Sequence, residues 1–589
     1  MSDTSNSLPP LSLAFGDFIA RQTEQASDSV LARTAAWLSW SYTQGDVCLD
    51  LAEKCEQPWF DGVFMDEDHA PSLDDWRMVL SAGTRCVAAP HDYAPMVLDG
   101  NRLYLHRYYH DEGTIAGALL QRMNTSVHCD ETVLRSSLSR LFPDVRFVEQ
   151  QRAVALAANR LFSVIAGGPG TGKTTSLVAL LAVLLEQQAT LRIAVAAPTG
   201  KAAARMMESM QNMQLQLPLD ATVRQALPTQ AATIHRLLGF DGHRFRHHAE
   251  RPLACDVLVI DEASMVDVSL MAAIIHALPA HARLILLGDR DQLASVDAGS
   301  VLGDITGHGR AINYSPTTHD YLNRIMGDGE CTAVDHSSAS EHIADCVALL
   351  QTSHRFGADS GIAQLAEACN RGDSQTAVSC FDHADDIQLA AGDPDAAAKQ
   401  AIAAYCACYR QHRNPNDLLH ALGQFRLLCA VRQGRFGVES LNRQVARALR
   451  AEGLLYGRHG MLQMITRNHP THHVFNGDLG IIWRDSDGQE RLHIRMPDGT
   501  LKAFSPAMLP DGEAAWAMTV HKAQGSEFDQ VALLLHDDPN HALLTRELLY
   551  TAITRARQHF TLYATPEVLT ATIERHIQRS SGLAQRLGW

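Results

Sequence analysis

The chain has 589 residues, 46% hydrophobic and 20% charged, the balance of a soluble globular protein of three or four domains. No apolar run is long enough to cross a bilayer, and Met1–Phe15 lacks the basic-then-apolar order of a secretion signal, so a cytoplasmic protein is expected. The net charge of −16 is unusual for a protein that grips nucleic acid, but the excess is uneven: residues 1–150 carry 22 Asp+Glu against 11 Lys+Arg. That acidic block would repel a phosphate backbone, and it suits either a protein-partner surface or a set of solvated faces. The 12 cysteines are scattered without a C-x-x-C pair, which reads as idle thiols in a reducing compartment rather than disulfides, zinc ligands or an iron–sulfur site.

In chain order, residues 1–115 read as a mainly helical N-terminal domain that binds a partner. They include a helix over Ser29–Tyr42, a Cys48–Ala52 segment and a strand over Arg102–Tyr109. A helical connector runs to about Phe142. From Val145 to about Ile305 strands alternate with helices, as in a parallel sheet, with strands at Phe162–Ile165, Arg192–Ala196, Val257–Ile260 and Leu284–Leu287, and residues 116–350 are read as one domain. A Gln/Leu/Pro-rich insertion is expected at about 209–230, and a mobile loop over 306–350, which is rich in Gly, His, Ser and Asp. Residues 351–589 form a second α/β unit with strands near Arg426–Val431, Val531–Leu535 and Phe560–Tyr563. A Gly/Asp-punctuated pattern at about 460–510, with Leu462–Ile465, Gly480–Trp483 and Leu492–Met496, predicts a small inserted β-barrel.

Three segments carry phosphate chemistry. Gly167-Gly168-Pro169-Gly170-Thr171-Gly172-Lys173-Thr174-Thr175 fits the P-loop pattern, between an apolar strand and a helical run. Its glycines let backbone N–H groups turn onto phosphates, Lys173 can reach the β- and γ-phosphates of ATP, and the Thr174 hydroxyl can ligate Mg²⁺. Asp261-Glu262 ends an apolar strand, which puts both carboxylates at the ligand-binding edge of the sheet: Asp261 for Mg²⁺, Glu262 to activate water. A third strand delivers Gly288-Asp289-Arg290-Asp291-Gln292, whose Gln292 amide can sense the γ-phosphate. The histidine-rich stretches His243–His248 and Arg467–His473 are expected as solvated loops.

Further segments resemble the DNA-contacting and coupling motifs of superfamily 1 helicases: Ala197–Arg205, Thr233–Gly239 and Met518–Phe528. Ser353–Phe356 and Tyr550–Ala556 resemble the two arginine-bearing motifs. With Leu427–Arg432 and Phe475–Asp478, the whole set resembles the RecD family, the alpha subunits of bacterial exodeoxyribonuclease V (the RecBCD complex), closely from about residue 100 onward. The resemblance implies two RecA-like P-loop helicase domains, an SH3-like inserted barrel, 5′→3′ translocation on DNA, and RecB-like and RecC-like partner subunits. It also implies that Gln150 reads adenine, that Glu527 contacts the ribose, and that Arg355 and Arg555 act as arginine fingers. Thr199, Lys201, His235, Thr519, His521 and Gln524 become candidates for the single-strand channel. Of these only Lys201 has an electrostatic reason to be there, and core packing or helix capping remains open for the others. A stand-alone RecD-like helicase is the nearest alternative. No cluster of carboxylates with a lysine suggests a nuclease centre in this chain.

Overall fold

The computed structural model describes residues 8–62, 68–83, 85–90, 92–125, 127–327, 342–357, 360–496 and 499–589. The N-terminal region packs helices Pro10–Thr23 and Val30–Thr43 beside a four-stranded sheet of β1 (Cys48–Asp50), β2 (Val87–Ala88), β3 (Met96–Asp99) and β4 (Arg102–Leu105), in the order β1-β4-β3-β2. Ser29 caps the second helix, its hydroxyl accepting from the Ala32 N–H at 3.3 Å. Trp37, Trp59 and Trp76 stack into this core with ring centroids 5.6–5.9 Å apart.

The strand expected over Arg102–Tyr109 is shorter. It ends at Leu105, and His106 opens an 18-residue helix to Met123. The reason is a change of period: Tyr108, Glu112, Ile115, Leu119 and Met123 are buried at helical spacing. The boundary expected at residue 115 falls inside this helix. Its Tyr108, Ile115 and Leu119 share one core with Phe162 and Val164 of the next sheet.

That next sheet is parallel throughout, in the order β10-β5-β9-β8-β6-β7. Its strands are β5 (Phe162–Gly167), β6 (Ile193–Ala197), β7 (Ala232–Thr233), β8 (Val257–Ile260), β9 (Arg283–Gly288) and β10 (Val347–Leu350). The central strands are almost wholly apolar, Ser163 and Arg283 excepted, because both faces of the sheet are covered. Phe162, Val164, Leu258 and Leu284 enter one core, while Ile165, Val257, Val259 and Ile285 enter the other.

Two expectations change here. The stretch 306–350 is not one loop. Ser315 caps a helix from Pro316 to Met326 that buries Tyr321 and Leu322, and β10 closes the sheet edge beside β5; residues 328–341 lie outside the described residues. The stretch 209–230 is largely helical and folded into the core. The helix Gly200–Gln216 runs into it, and Leu217, Leu219, Val223 and Leu227 are buried in the cluster that holds the P-loop helix.

The second α/β unit begins with β11 (Ile387–Ala390) and β12 (Phe425–Cys429). The chain then leaves to build β13 (Leu462–Ile465), β14 (Leu479–Arg484), β15 (Glu490–Arg495), β16 (Leu501–Phe504) and β17 (Gly512–Ala514). These form an antiparallel sheet ordered β16-β15-β14-β13-β17, over a small core of Ile465, Val474, Ile482, Leu492 and Ile494. β18 (Ala517–Thr519), β19 (Phe528–Leu534) and β20 (Ala556–Tyr563) return to complete a parallel sheet ordered β11-β20-β19-β12-β18.

The C-terminal segment straps these parts together. Arg579 donates to the carbonyls of Ser295, Asp297 and Gly299 in the first unit, and Ser580 N–H donates to Asp46. Ser581 Oγ and Gly582 N–H donate to Glu112 at 2.8 and 3.0 Å, and Trp589 Nε1 donates to Ile305 O. Glu112 is fully buried. Burial, and then the charge of Asp304, push its carboxyl up to about 7 from 4.5 against the opposing Ser581 and Gly582 hydrogen bonds. A carboxyl raised in the folded state lends stability that is complete below its ordinary pKa and is lost as pH rises through the folded value. The strap is therefore expected to loosen by up to about 3 kcal/mol as pH rises from 4.5 to about 7. Glu112→Gln should flatten this dependence in thermal unfolding, and an unchanged pH profile in the variant would contradict it.

Candidate functional site

The loop after β5 wraps a helix N-terminus. Gly172 precedes the helix Lys173–Gln187 at φ 90°, and a Cβ there would come within 3.0 Å of the Gln150 amide. Gly170, at φ 79°, lies so close to Arg355 that a Cβ would fall 2.4 Å from the Arg355 Cβ. Lys173 Nζ folds back to the carbonyls of Gly167 and Gly168, and the Thr171 hydroxyl donates to Gly168 O at 2.8 Å. Gln150 Nε2 donates to Thr171 O at 2.7 Å and lies 3.2 Å from His354 Nε2. The His354 ring in turn faces Phe147 at 5.5 Å.

At the carboxyl end of β8, Asp261 Oδ1 accepts from the Glu262 N–H at 2.8 Å. Burial, then the charge of Glu262, raise the Asp261 carboxyl well above the usual range. Glu262 sits in the left-handed region at φ 51° and ψ 43°, where a residue with a side chain is strained by roughly 1–2 kcal/mol. Such strain persists where surrounding structure over-determines it, and it gathers at functional sites. At the end of β9, Gln292 Nε2 and Tyr550 Oη both donate to Asp289 Oδ2, at 2.8 and 3.1 Å.

The second unit closes over this edge. The segment before Arg355 is stitched to the P-loop: His354 N–H donates to Gly170 O at 2.8 Å, and Ser353 Oγ to Pro169 O at 3.2 Å. Arg355 Nη2 donates to Glu527 Oε1 at 2.6 Å, Arg205 pairs with the same oxygen, and Arg557 holds Oε2 at 3.0 Å. Burial alone would raise the Glu527 carboxyl, but the charges of Arg205 and Arg355 overturn this and hold it at about 2. Arg555 is buried; its Nε donates to Thr551 O and its Nη1 to Ser526 O.

These groups line one cavity of 470 Å³, open to both units. Its wall includes Gln150, Gly168, Pro169, Gly170, Gly172, Lys173, Thr174 and Thr175 from the first motif, Asp261, Glu262 and Gln292 from the next two, and Arg355, Glu527 and Arg555 from beyond. Gly167 and Thr171 brace the loop through hydrogen bonds, Gly167 O accepting from Lys173 Nζ and the Thr171 hydroxyl donating to Gly168 O. Arg205, Asp289, Tyr550 and His354 complete the site and were not assigned from the sequence. All four lie within the motif segments but had no role assigned there: Tyr550 offers no charge, and Asp289 acts through its hydrogen bonds with Gln292 and Tyr550.

The candidate channel residues do not form one surface. Thr199 caps the helix Gly200–Gln216, accepting from Ala202 N–H at 3.2 Å. Gln524 Nε2 donates across the units to Leu293 O at 3.1 Å. His521 is half-buried, and burial with the charge of Arg579 lowers its imidazole. His235 is exposed beside Phe240 and Phe245, at 5.5 and 5.8 Å between rings. Lys201 lines a separate groove with Asp478, and burial followed by the Arg426 charge pushes its ammonium down to about 8. Thr519 borders another groove beside the helix Val438–Ala451. No group of three or more His, Cys, Asp or Glu among the described residues could hold a metal ion by itself, and no helix among them is long and apolar enough to cross a membrane.

Comparison with known proteins agrees with this geometry. Residues 150–298 match a model described as an AAA domain, and residues 514–563 one described as a UvrD-like helicase C-terminal domain. Residues 4–104 match the RecBCD enzyme subunit RecD, N-terminal domain. The RecBCD enzyme subunit RecD of Haemophilus influenzae is 33% identical, over 94% of this chain and 92% of its own. That of Mycolicibacterium smegmatis is 36% identical, over 92% and 91%. The ATP-dependent RecD2 DNA helicase of Deinococcus radiodurans is 31% identical over 70% of this chain but only 48% of its own. Similarity at this level, running through the N-terminal region as well as the nucleotide edge, means that the chain belongs to the family of RecBCD enzyme subunit RecD.

Proposed function

We infer that this chain is the ATP-dependent DNA helicase subunit of a RecBCD-type exodeoxyribonuclease V, translocating 5′→3′ on one strand. It would serve double-strand break repair by homologous recombination and the degradation of linear DNA, in the cytoplasm. The observation that carries this reading is the single cavity lined by the P-loop and by Arg355, Glu527 and Arg555 from the second unit. A nucleotide held between two units can convert their closure into movement along a strand. The stand-alone reading is weaker, because residues 4–104 match the RecBCD enzyme subunit RecD, N-terminal domain.

The donor set fits ATP with Mg²⁺. Gln150 Oε1, Gln292 Oε1 and Arg355 Nη1 are buried without a hydrogen-bond partner among the described residues, and all three belong to side chains of the cavity wall. ATP with Mg²⁺ supplies the phosphoanhydride and the charge that must be neutralised during its cleavage. Lys173 would hold the β- and γ-phosphates, and Thr174 and Asp261 the metal. Glu262 would orient and deprotonate the attacking water while Gln292 senses the γ-phosphate. Arg355 would leave Glu527 for the phosphoryl oxygens, joined by Arg555, and Glu527 would then be free for the ribose. Gln150, between His354 and the P-loop, would read adenine. Residues 116–350 and 351–589 would act as the two RecA-like domains, and the inserted sheet at about 460–510 as an SH3-like module. Residues 1–115 would dock on RecB-like and RecC-like subunits, with cleavage of DNA left to the partner.

Lys173→Gln is expected to abolish DNA-stimulated ATP hydrolysis while the variant still co-purifies with both partner subunits. Persistent hydrolysis in the variant would sink the P-loop assignment.

A further inference from the structure

The helix Val438–Ala451 presents Arg443, Arg447 and Arg450 on one exposed face, at spacings of four and three residues. All three line a groove of 620 Å³ that also includes Ala446 and Met461, with Thr519 at the end of β18 and Lys522 in the turn after it. The groove contains two carboxylates, and both are already engaged. Glu439 pairs with Arg432 at 3.2 Å, and Glu513 pairs with Arg432 at 3.2 Å and with Lys522. Among the described residues, no carboxylate pairs with Arg443, Arg447 or Arg450. In a chain of net charge −16, this is a concave surface where cations are left over. An ordinary solvated helix face would mix both signs and would not border a cleft.

Resting on the helicase reading, we propose that this groove binds the phosphate backbone of single-stranded DNA, with Arg443, Arg447 and Arg450 each contacting a phosphate. Three observations favour a nucleic-acid strand over an acidic protein segment. The cations repeat along one line, as phosphates do. Ala446 and Met461 offer an apolar surface for bases. The groove also reaches Thr519, the last residue of β18 and part of the segment Met518–Phe528 that resembles a DNA-contacting motif. The three arginines lie on a helix outside the segments that the sequence motifs mark.

The test uses the full chain and a labelled oligothymidine, with binding measured by fluorescence anisotropy across a salt titration. The wild type fixes the slope of log affinity against log salt. Arg443→Gln/Arg447→Gln/Arg450→Gln should flatten that slope by about 2, since each phosphate contact to a single strand contributes about 0.7. The three lysine replacements should keep the slope. Thermal unfolding should be unchanged in both variants, because the side chains are exposed. An unaltered slope in the glutamine variant overturns the proposal. So does an unaltered slope with loss of assembly with the partner subunits, which would assign the groove to protein. If the wild type itself fails to bind the oligonucleotide, the helicase reading falls first and the proposal with it.

Discussion

Replacing Arg355 with alanine is expected to lower DNA-stimulated kcat for ATP hydrolysis by about 10³-fold or more, a loss of roughly 4 kcal/mol of transition-state stabilisation. Contacts within the protein fix its position. The preceding residues are hydrogen-bonded to Gly170 O and Pro169 O of the P-loop, and Nη2 is held on Glu527 while Nη1 has no partner among the described residues. Glu527 thus serves as the anion that keeps the guanidinium beside the phosphate site. With its carboxyl held at about 2, it keeps that charge throughout the physiological range. Arg355 contributes where charge develops during phosphoryl transfer, so KM for ATP should change far less than kcat. Steady-state kinetics on the purified variant check this. A kcat within tenfold of wild type would show that Arg355 only braces Glu527.

The second large effect is expected at Glu262. Glu262→Gln keeps the side-chain shape and removes the base, and kcat should fall by about 10²- to 10⁴-fold with nucleotide affinity retained. The backbone supports the assignment: Glu262 occupies a left-handed turn at φ 51°, next to a buried Asp261 and on the cavity wall. Equilibrium nucleotide binding and single-turnover hydrolysis separate the two properties. Hydrolysis at the wild-type rate in Glu262→Gln would move the base elsewhere in the cavity.

Much of this site was legible in the sequence because its parts are local. A buried strand ending in Gly-rich or acidic residues is written in consecutive positions, and β5, β8 and β9 stand where Phe162–Ile165, Val257–Ile260 and Leu284–Leu287 were expected. The failures share a different cause. At Leu105–His106 the apolar period changes from two to 3.6 within a few residues, and the tyrosines on both sides suit either state. In 306–350 the composition is loop-like, but a Ser-Pro start and a four-residue edge strand suffice for order once the core of the first unit receives them. The Arg205–Glu527–Arg557 cluster, the Gln524–Leu293 bond and the strap onto Glu112 join residues far apart in sequence, and no local pattern records such contacts. The acidic N-terminal block was visible as charge. That its helix His106–Met123 shares the core of the first parallel sheet was not.

The central claim is that this chain is an ATP-driven motor that enters DNA from a 5′ single-stranded end. The most direct measurement is ATP-dependent unwinding of duplexes bearing either a 5′ or a 3′ tail, with Lys173→Gln as the control. Unwinding from the 5′ tail alone, absent in the control, is the predicted result. Unwinding that starts from the 3′ tail, or that survives in Lys173→Gln, would contradict it.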